Sequence, residues 1–141
     1  MKICMIGTGY VGLVSGTCFA DIGHQVYCVD KDLSKINQLN SGISPIYEPG
    51  LDELIKKNHK AKRLYFTSDL KKAITVSDII FICVGTPNIK GSLKVDLSFV
   101  FKCTKEILAI TKKKKIIVTK STVPIGTGDQ IENIIKKKKK L

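Results

Sequence analysis

A doubly wound α/β fold, a parallel sheet with helices on both faces, is predicted by three features of this sequence. Short β-rich apolar runs alternate with amphipathic helical stretches along the chain, the order that parallel strands joined by crossover helices require. The run DIIFICV, Asp78 to Val84, is almost uninterruptedly apolar, as a strand covered on both faces must be. A glycine-rich turn, GTGYVG starting at Gly7, directly follows the first apolar run and opens a helix. With 141 residues and neither an internal repeat nor a linker, one domain is expected over residues 1–141.

The elements follow in order. Ile3 to Ile6 is the first strand, and a helix runs from about Val11 to Ile22, where Gly23 and His24 close it. Gln25 to Asp30 is the second strand. A helix over Leu33 to Leu39 leads into a loop with Pro45 and Pro49, and Leu51 to Lys60 is helical again. Leu64 to Phe66 is a short third strand, and Asp69 caps a helix reaching Val76. The apolar fourth strand, Asp78 to Val84, gives way to a loop at Thr86 to Lys94 and a helix over Leu97 to Ile110. Ile116 to Thr119 is the fifth strand, and a last helix starts near Thr127 and runs into the lysine tail. The tail has no apolar residues with which to pack a sixth strand, so the sheet is expected to lack its last strand. Right-handed crossovers leave the strand C-termini on one edge, where ligands bind.

Composition removes several function classes. The formal charge of +12 is local: Lys112 to Lys115 and Lys136 to Lys140 supply nine of the 24 basic residues, leaving 15 against 12 acidic ones. Arg63 is the lone arginine, and base readout favours the bidentate guanidinium, so specific nucleic-acid binding is not expected. Cys4, Cys18, Cys28, Cys83 and Cys103 form no C-x-x-C pair and lie in apolar stretches, which predicts buried, reduced thiols and no metal site. Four glycines interrupt the apolar N-terminal stretch and Asp21 follows it, which argues against a secretory signal. No apolar run is long enough to span a bilayer. A cytoplasmic protein with no membrane partner is expected.

Gly7, Gly9 and Gly12 have G-x-G-x-x-G spacing, and Asp30 stands 23 residues after Gly7 at the end of the second strand. In a strand–turn–helix context this is the dinucleotide fingerprint of a Rossmann-type domain. Gly7 permits the tight turn, Gly9 lets the backbone approach a pyrophosphate, and Gly12 lets the helix pack closely. The free N–H groups of the helix N-terminus, around Tyr10 and Val11, face the phosphates. Asp30 accepts hydrogen bonds from both adenine-ribose hydroxyls and repels a 2′-phosphate, so NAD is favoured over NADP, although Lys31 softens that discrimination. Lys35, one turn into the next helix, approaches the same ribose. Thr86, just past the fourth strand, is placed to meet the nicotinamide-side ribose, and Ser121 and Thr122 hold the equivalent position after the fifth.

Three further stretches, SPIYEPGL (44–51), VGTPN (84–88) and KSTVPIGT (120–127), go beyond a dinucleotide fold. Together with GTGYVGL and VDKDLSKI, in this order, they resemble the N-terminal NAD-binding domain of the UDP-glucose/GDP-mannose dehydrogenase family, its UDP-glucose 6-dehydrogenases in particular, as far as about Ile135. The resemblance implies oxidation of the C6 hydroxyl of UDP-glucose to a carboxylate with two NAD per turnover, through a thioester on a cysteine. It also implies that Thr122 contacts NAD and helps hold a catalytic water. The PIYEPGL loop is read only as prolines and glycine that position the following helix.

The family's nucleophile lies in a GGxCxPKD-type segment, and a catalytic glutamate lies in a PEF-type segment; neither occurs in this sequence. Cys83, near the ligand edge, is expected to serve core packing. The expectation is therefore an NAD-binding part without its own reaction centre and inactive alone, with Leu141 an abrupt end. UDP-sugar binding and homo-oligomer formation would come only with the central and C-terminal domains. Two other classes stay open: a stand-alone NAD-sensing regulatory module, and a polyanion-binding basic protein that uses the lysine runs.

Overall fold

A computed structural model describes residues 1–92 and 94–139; Leu93, Lys140 and Leu141, the last two belonging to the lysine tail, lie outside the described residues. The strands are β1 (Lys2–Ile6), β2 (Gln25–Val29), β3 (Leu64–Thr67), β4 (Ile79–Ile82) and β5 (Ile116–Thr119). The helices are α1 (Tyr10–Asp21), α2 (Leu33–Asn40), α3 (Leu51–Lys60), α4 (Leu70–Val76), α5 (Ser98–Ile110) and α6 (Thr127–Lys139). All four strand pairings are parallel, in the order β3-β2-β1-β4-β5. The sequence-predicted elements are all present, with ends displaced by one or two residues. Asp30 and Cys83 each lie just beyond the strand assigned to them.

Side-chain alternation along the strands divides the apolar residues between two cores. Ile3 and Met5 pack with Val26, Cys28 and Leu64 under α1, α2 and α3, through Leu13, Ala20, Leu39 and Ile55. Cys4 and Ile6 point the other way and pack with Ile80 and Ile82 under α4, α5 and α6, through Ile74, Val100, Ile107 and Ile131. Each side chain of this kind contributes roughly 1.5–3 kcal/mol by leaving water.

Helix starts follow capping chemistry. Asp69 caps α4 by accepting from the Lys72 amide at 2.9 Å, as expected, and Asp32 caps α2 through the Ser34 and Lys35 amides. The 44–51 loop does position α3: Ser44 N–H donates to Asp52 at 2.9 Å, and Gly50, at φ +78°, starts the helix. Tyr10 donates its hydroxyl to the Tyr47 carbonyl at 2.9 Å, which ties this loop to the start of α1. Glu48 is exposed.

The expectation of five buried thiols needs one correction. Cys4, Cys28, Cys83 and Cys103 are buried, but Cys18 is exposed. On α1 the sheet-facing positions are Leu13, Gly16, Thr17 and Ala20. Cys18 follows Gly16 by two residues, about 200° around the helix, and so points to solvent.

Candidate functional site

The order β3-β2-β1-β4-β5 reverses direction between β1 and β4, and the C-terminal ends of these strands diverge there into a crevice. It is an open groove of about 810 Å³. Eight of the nine sequence-predicted cofactor residues line it: Gly7, Gly9, Tyr10, Val11, Asp30, Lys35, Thr86 and Thr122. Gly12 does not line it and lies beneath.

The three glycines have different physical reasons. Gly7 has φ +104°, and a Cβ there would stand 2.5 Å from the Cys83 carbonyl oxygen. A Cβ at Gly12 would overlap the Gly7 carbonyl oxygen and come within 3.1 Å of the Cys83 side chain, so the close packing is of α1 against the turn and the end of β4. At Gly9 a Cβ would meet nothing within 4 Å, and φ is an ordinary −75°. Glycine at that position is not required by the fold; it keeps open the space in front of α1. The helix has no side-chain cap, and its first intrahelical bond is from the Leu13 amide to the Gly9 carbonyl. The amides of Tyr10, Val11 and Gly12 thus have no acceptor within the helix and stand at its positive end. An anion can be held at such a helix end.

Beside the glycine turn, just past β2, Asp30 is held from several sides. Its Oδ2 accepts from the Thr8 amide at 3.0 Å and the Thr8 hydroxyl at 2.7 Å, and its Oδ1 accepts from the Asp32 amide at 3.1 Å. Burial pushes this carboxyl up, but those hydrogen bonds, with Lys35 adding to them, outweigh it and leave it below its ordinary value of 3.8. Lys35 Nζ is 3.9 Å from Oδ2. Lys31 sits 5.7 Å from the centre of the Phe99 ring, and both line the groove.

On the β4–β5 side Thr86 donates its hydroxyl to the Thr122 carbonyl at 2.8 Å, and the two threonine hydroxyls are 3.0 Å apart. The sequence placed both threonines at this edge; the structure brings them into one pair across 36 residues. Ser121 instead turns its hydroxyl to the Val84 carbonyl at 2.7 Å, a backbone-satisfying role. Cys83 and Cys103 border the groove, and burial pushes their thiols up to about 11 and about 12. Both are thus protonated and poorly nucleophilic at neutral pH.

Thr8 is the residue that sequence reasoning missed. It occupies a variable position of the fingerprint, and its partner is 22 residues away, so spacing carries no signal for it. Phe99 was likewise invisible, because α5 meets the β2 end only in three dimensions.

The family model for the NAD binding domain of the UDP-glucose/GDP-mannose dehydrogenase family matches residues 1–141. This chain belongs to that family. It is 57% identical over 136 residues to a UDP-glucose 6-dehydrogenase of Rhizobium meliloti, covering 96% of this chain and 31% of that protein. It is 53% identical over 139 residues to the UDP-glucose 6-dehydrogenase TuaD of Bacillus subtilis, covering 99% and 30%. Among solved structures, a GDP-mannose dehydrogenase from Pseudomonas aeruginosa superposes with a TM-score of 0.88 at 40% identity, over 93% of this chain and 30% of that one. A UDP-D-ManNAc dehydrogenase from Pyrococcus horikoshii gives 0.91 at 28% identity, over 100% and 33%. The chain thus spans about a third of the length of the relatives it matches. Among the described residues no helix is long and apolar enough to cross a membrane, and no group of three or more His, Cys, Asp or Glu could hold a metal ion.

Proposed function

We propose that residues 1–141 are the NAD-binding part of a cytoplasmic UDP-glucose 6-dehydrogenase, whose cysteine nucleophile and sugar-binding groups are supplied by residues outside this stretch. The observation that carries the reading is the groove itself, with open space before Gly9, unbonded α1 amides, and a fixed carboxylate beside the same turn. In this reading the amides of Tyr10 and Val11 bind the pyrophosphate, and Asp30 accepts a hydrogen bond from the adenine ribose, with Lys35 alongside. Bound NAD supplies a hydride acceptor. The paired hydroxyls of Thr86 and Thr122 face the nicotinamide half, where Thr86 orients the second ribose and Thr122 also holds a water. Sugar identity is favoured as UDP-glucose by the two relatives of highest identity, which carry that name. Homo-oligomer formation through residues outside this stretch is part of the same reading.

A chimera tests it. Replacing the NAD-binding domain of the Rhizobium meliloti relative with this chain should give an enzyme that forms two NADH per UDP-glucose consumed. The 141 residues alone should bind NAD and form none. A folded chimera that binds NAD but forms no NADH from UDP-glucose would mean that this domain does not complete that enzyme's reaction centre. A chain that binds no NAD would remove the whole reading.

A further inference from the structure

Thr8 stands between Gly7 and Gly9 and is wholly buried at the floor of an otherwise open groove. A buried hydroxyl must spend its proton on an acceptor or lose free energy, and this one donates to a charged oxygen at 2.7 Å, the short distance of a charge-assisted bond. A carboxylate offers about four lone-pair sites. Thr8 alone fills both on Asp30 Oδ2, through its amide and its hydroxyl, and the Asp32 amide fills one on Oδ1. One lone pair on Oδ1 remains. The competitor for this carboxylate is also in place: Lys35 Nζ is 3.9 Å from Oδ2, beyond hydrogen-bond distance but within ion-pair range. A small rotation of Asp30 would close that pair and partly neutralise the charge that faces the groove.

We propose that Thr8 is a positioning residue: its hydroxyl holds Asp30 away from Lys35, in the rotamer that presents the remaining lone pair to the adenine ribose, and so sets the preference for a 2′-hydroxyl over a 2′-phosphate. The inference rests on the NAD reading above. It adds to the glycine–acid fingerprint a third member at a position the fingerprint leaves free. The lowering of the Asp30 carboxyl by the Thr8 bonds agrees with this geometry.

The test uses the 141-residue chain with Thr8→Val, which keeps the shape and removes the donor, and Thr8→Ser, which keeps the donor. NAD and NADP affinities are measured by calorimetry. The Asp30 carboxyl is titrated by NMR with no cofactor present and with Lys35→Met in every chain, so that no ammonium replaces the bond that Thr8→Val removes. If the valine chain holds the competent rotamer about one part in ten, NAD binding weakens about tenfold. NADP binding holds or tightens, and the Asp30 midpoint rises; Thr8→Ser stays near wild type in all three. Should the valine chain fold poorly, Thr8→Ala repeats the experiment with less bulk. Equal losses of NAD and NADP, or an unmoved Asp30 midpoint, overturn the proposal. A wild-type chain with no NAD affinity overturns the NAD reading and the specificity role together, while the titration decides separately whether Thr8 holds the carboxylate.

Discussion

The two halves of the ligand edge are built on different principles. In the β1–α1–β2 half, the backbone itself makes the site. Gly7 and Gly12 sit where a Cβ would strike the Cys83 carbonyl or the Gly7 carbonyl, and Asp30 is pinned by Thr8. In the β4–α5–β5 half, the site consists of side chains that meet across the fold, the Thr86–Thr122 pair above all. β5 is at the sheet edge and none of its residues is fully buried, and Ile125 in the following loop is fully exposed. The first half is thus rigid because it has no room, and the second is held by a few hydrogen bonds. The contrast assigns folding sensitivity to one half and tunable contacts to the other.

The largest expected effect separates two glycines three residues apart. Gly12→Ala forces a methyl into the Gly7 carbonyl, and the turn, α1 and β4 cannot all stay in place. A loss of about 3 kcal/mol or more is expected, read as a lower urea midpoint at unchanged slope. Gly9→Ala places its methyl in open space at ordinary φ, so stability should change by no more than about 1 kcal/mol. The same methyl would take up part of the open space beside Gly9 in the groove, and NAD affinity should fall at least about tenfold. If Gly12→Ala melted like wild type, the claim that the first half has no room would be wrong.

That pair also shows what was legible in the sequence. Element order, the parallel architecture, the groove's position and six of its residues, Gly7 to Lys35, follow from local patterns, because β1, the turn, α1, β2 and α2 are consecutive, whereas the role of Thr122 came only with the family resemblance. Where partners are distant, the signal fails. Gly16 looked like an interruption of an apolar run, yet a Cβ there would lie 2.8 Å from the Cys28 sulfur and 3.1 Å from Met5, so it fixes the depth of α1 on the sheet. Asn58 gave no hint that it is fully buried, bonding Asp21 on α1 while accepting from Arg63. Cys18 was misjudged because its neighbours are apolar, whereas helix phase decides which of them face the sheet.

A middle-sized effect lies in the second half. Lysine runs are ordinarily solvated, and Lys112 to Lys114 are exposed. Lys115 is different: its ammonium donates to the Thr75 and Ser77 carbonyls at the C-terminus of α4, bracing the start of β5 against that helix. Lys115→Met should cost about 1 kcal/mol, whereas Lys114→Met should stay within about 0.5 kcal/mol. Equal values from chemical unfolding would mean that β5 needs no brace. The second half would then be less dependent on single contacts than its geometry indicates.

The smallest expected effect is in acid. Asp30 titrates below its ordinary 3.8 in the folded chain, so its hydrogen bonds contribute stability that is fully present above that value. The contribution is lost as pH falls through the lowered folded value. In Asp30→Asn the single amide oxygen can accept from Thr8 or from the Asp32 amide but not from both, and it does not titrate, so the chain should lose stability at pH 7 while part of the acid-side decline below pH 3.8 disappears. Asp96 is also lowered, by the Ser98 amide and hydroxyl, but it is half-buried before α5 and has a single residue as donor, and Asp96→Asn should flatten the acid limb less. Unfolding midpoints of the three chains between pH 2 and 7 decide between them. A larger effect at Asp96 would place the tighter electrostatic hold in the half of the site that has no backbone clamp, and the contrast between the halves would have to be drawn from packing alone.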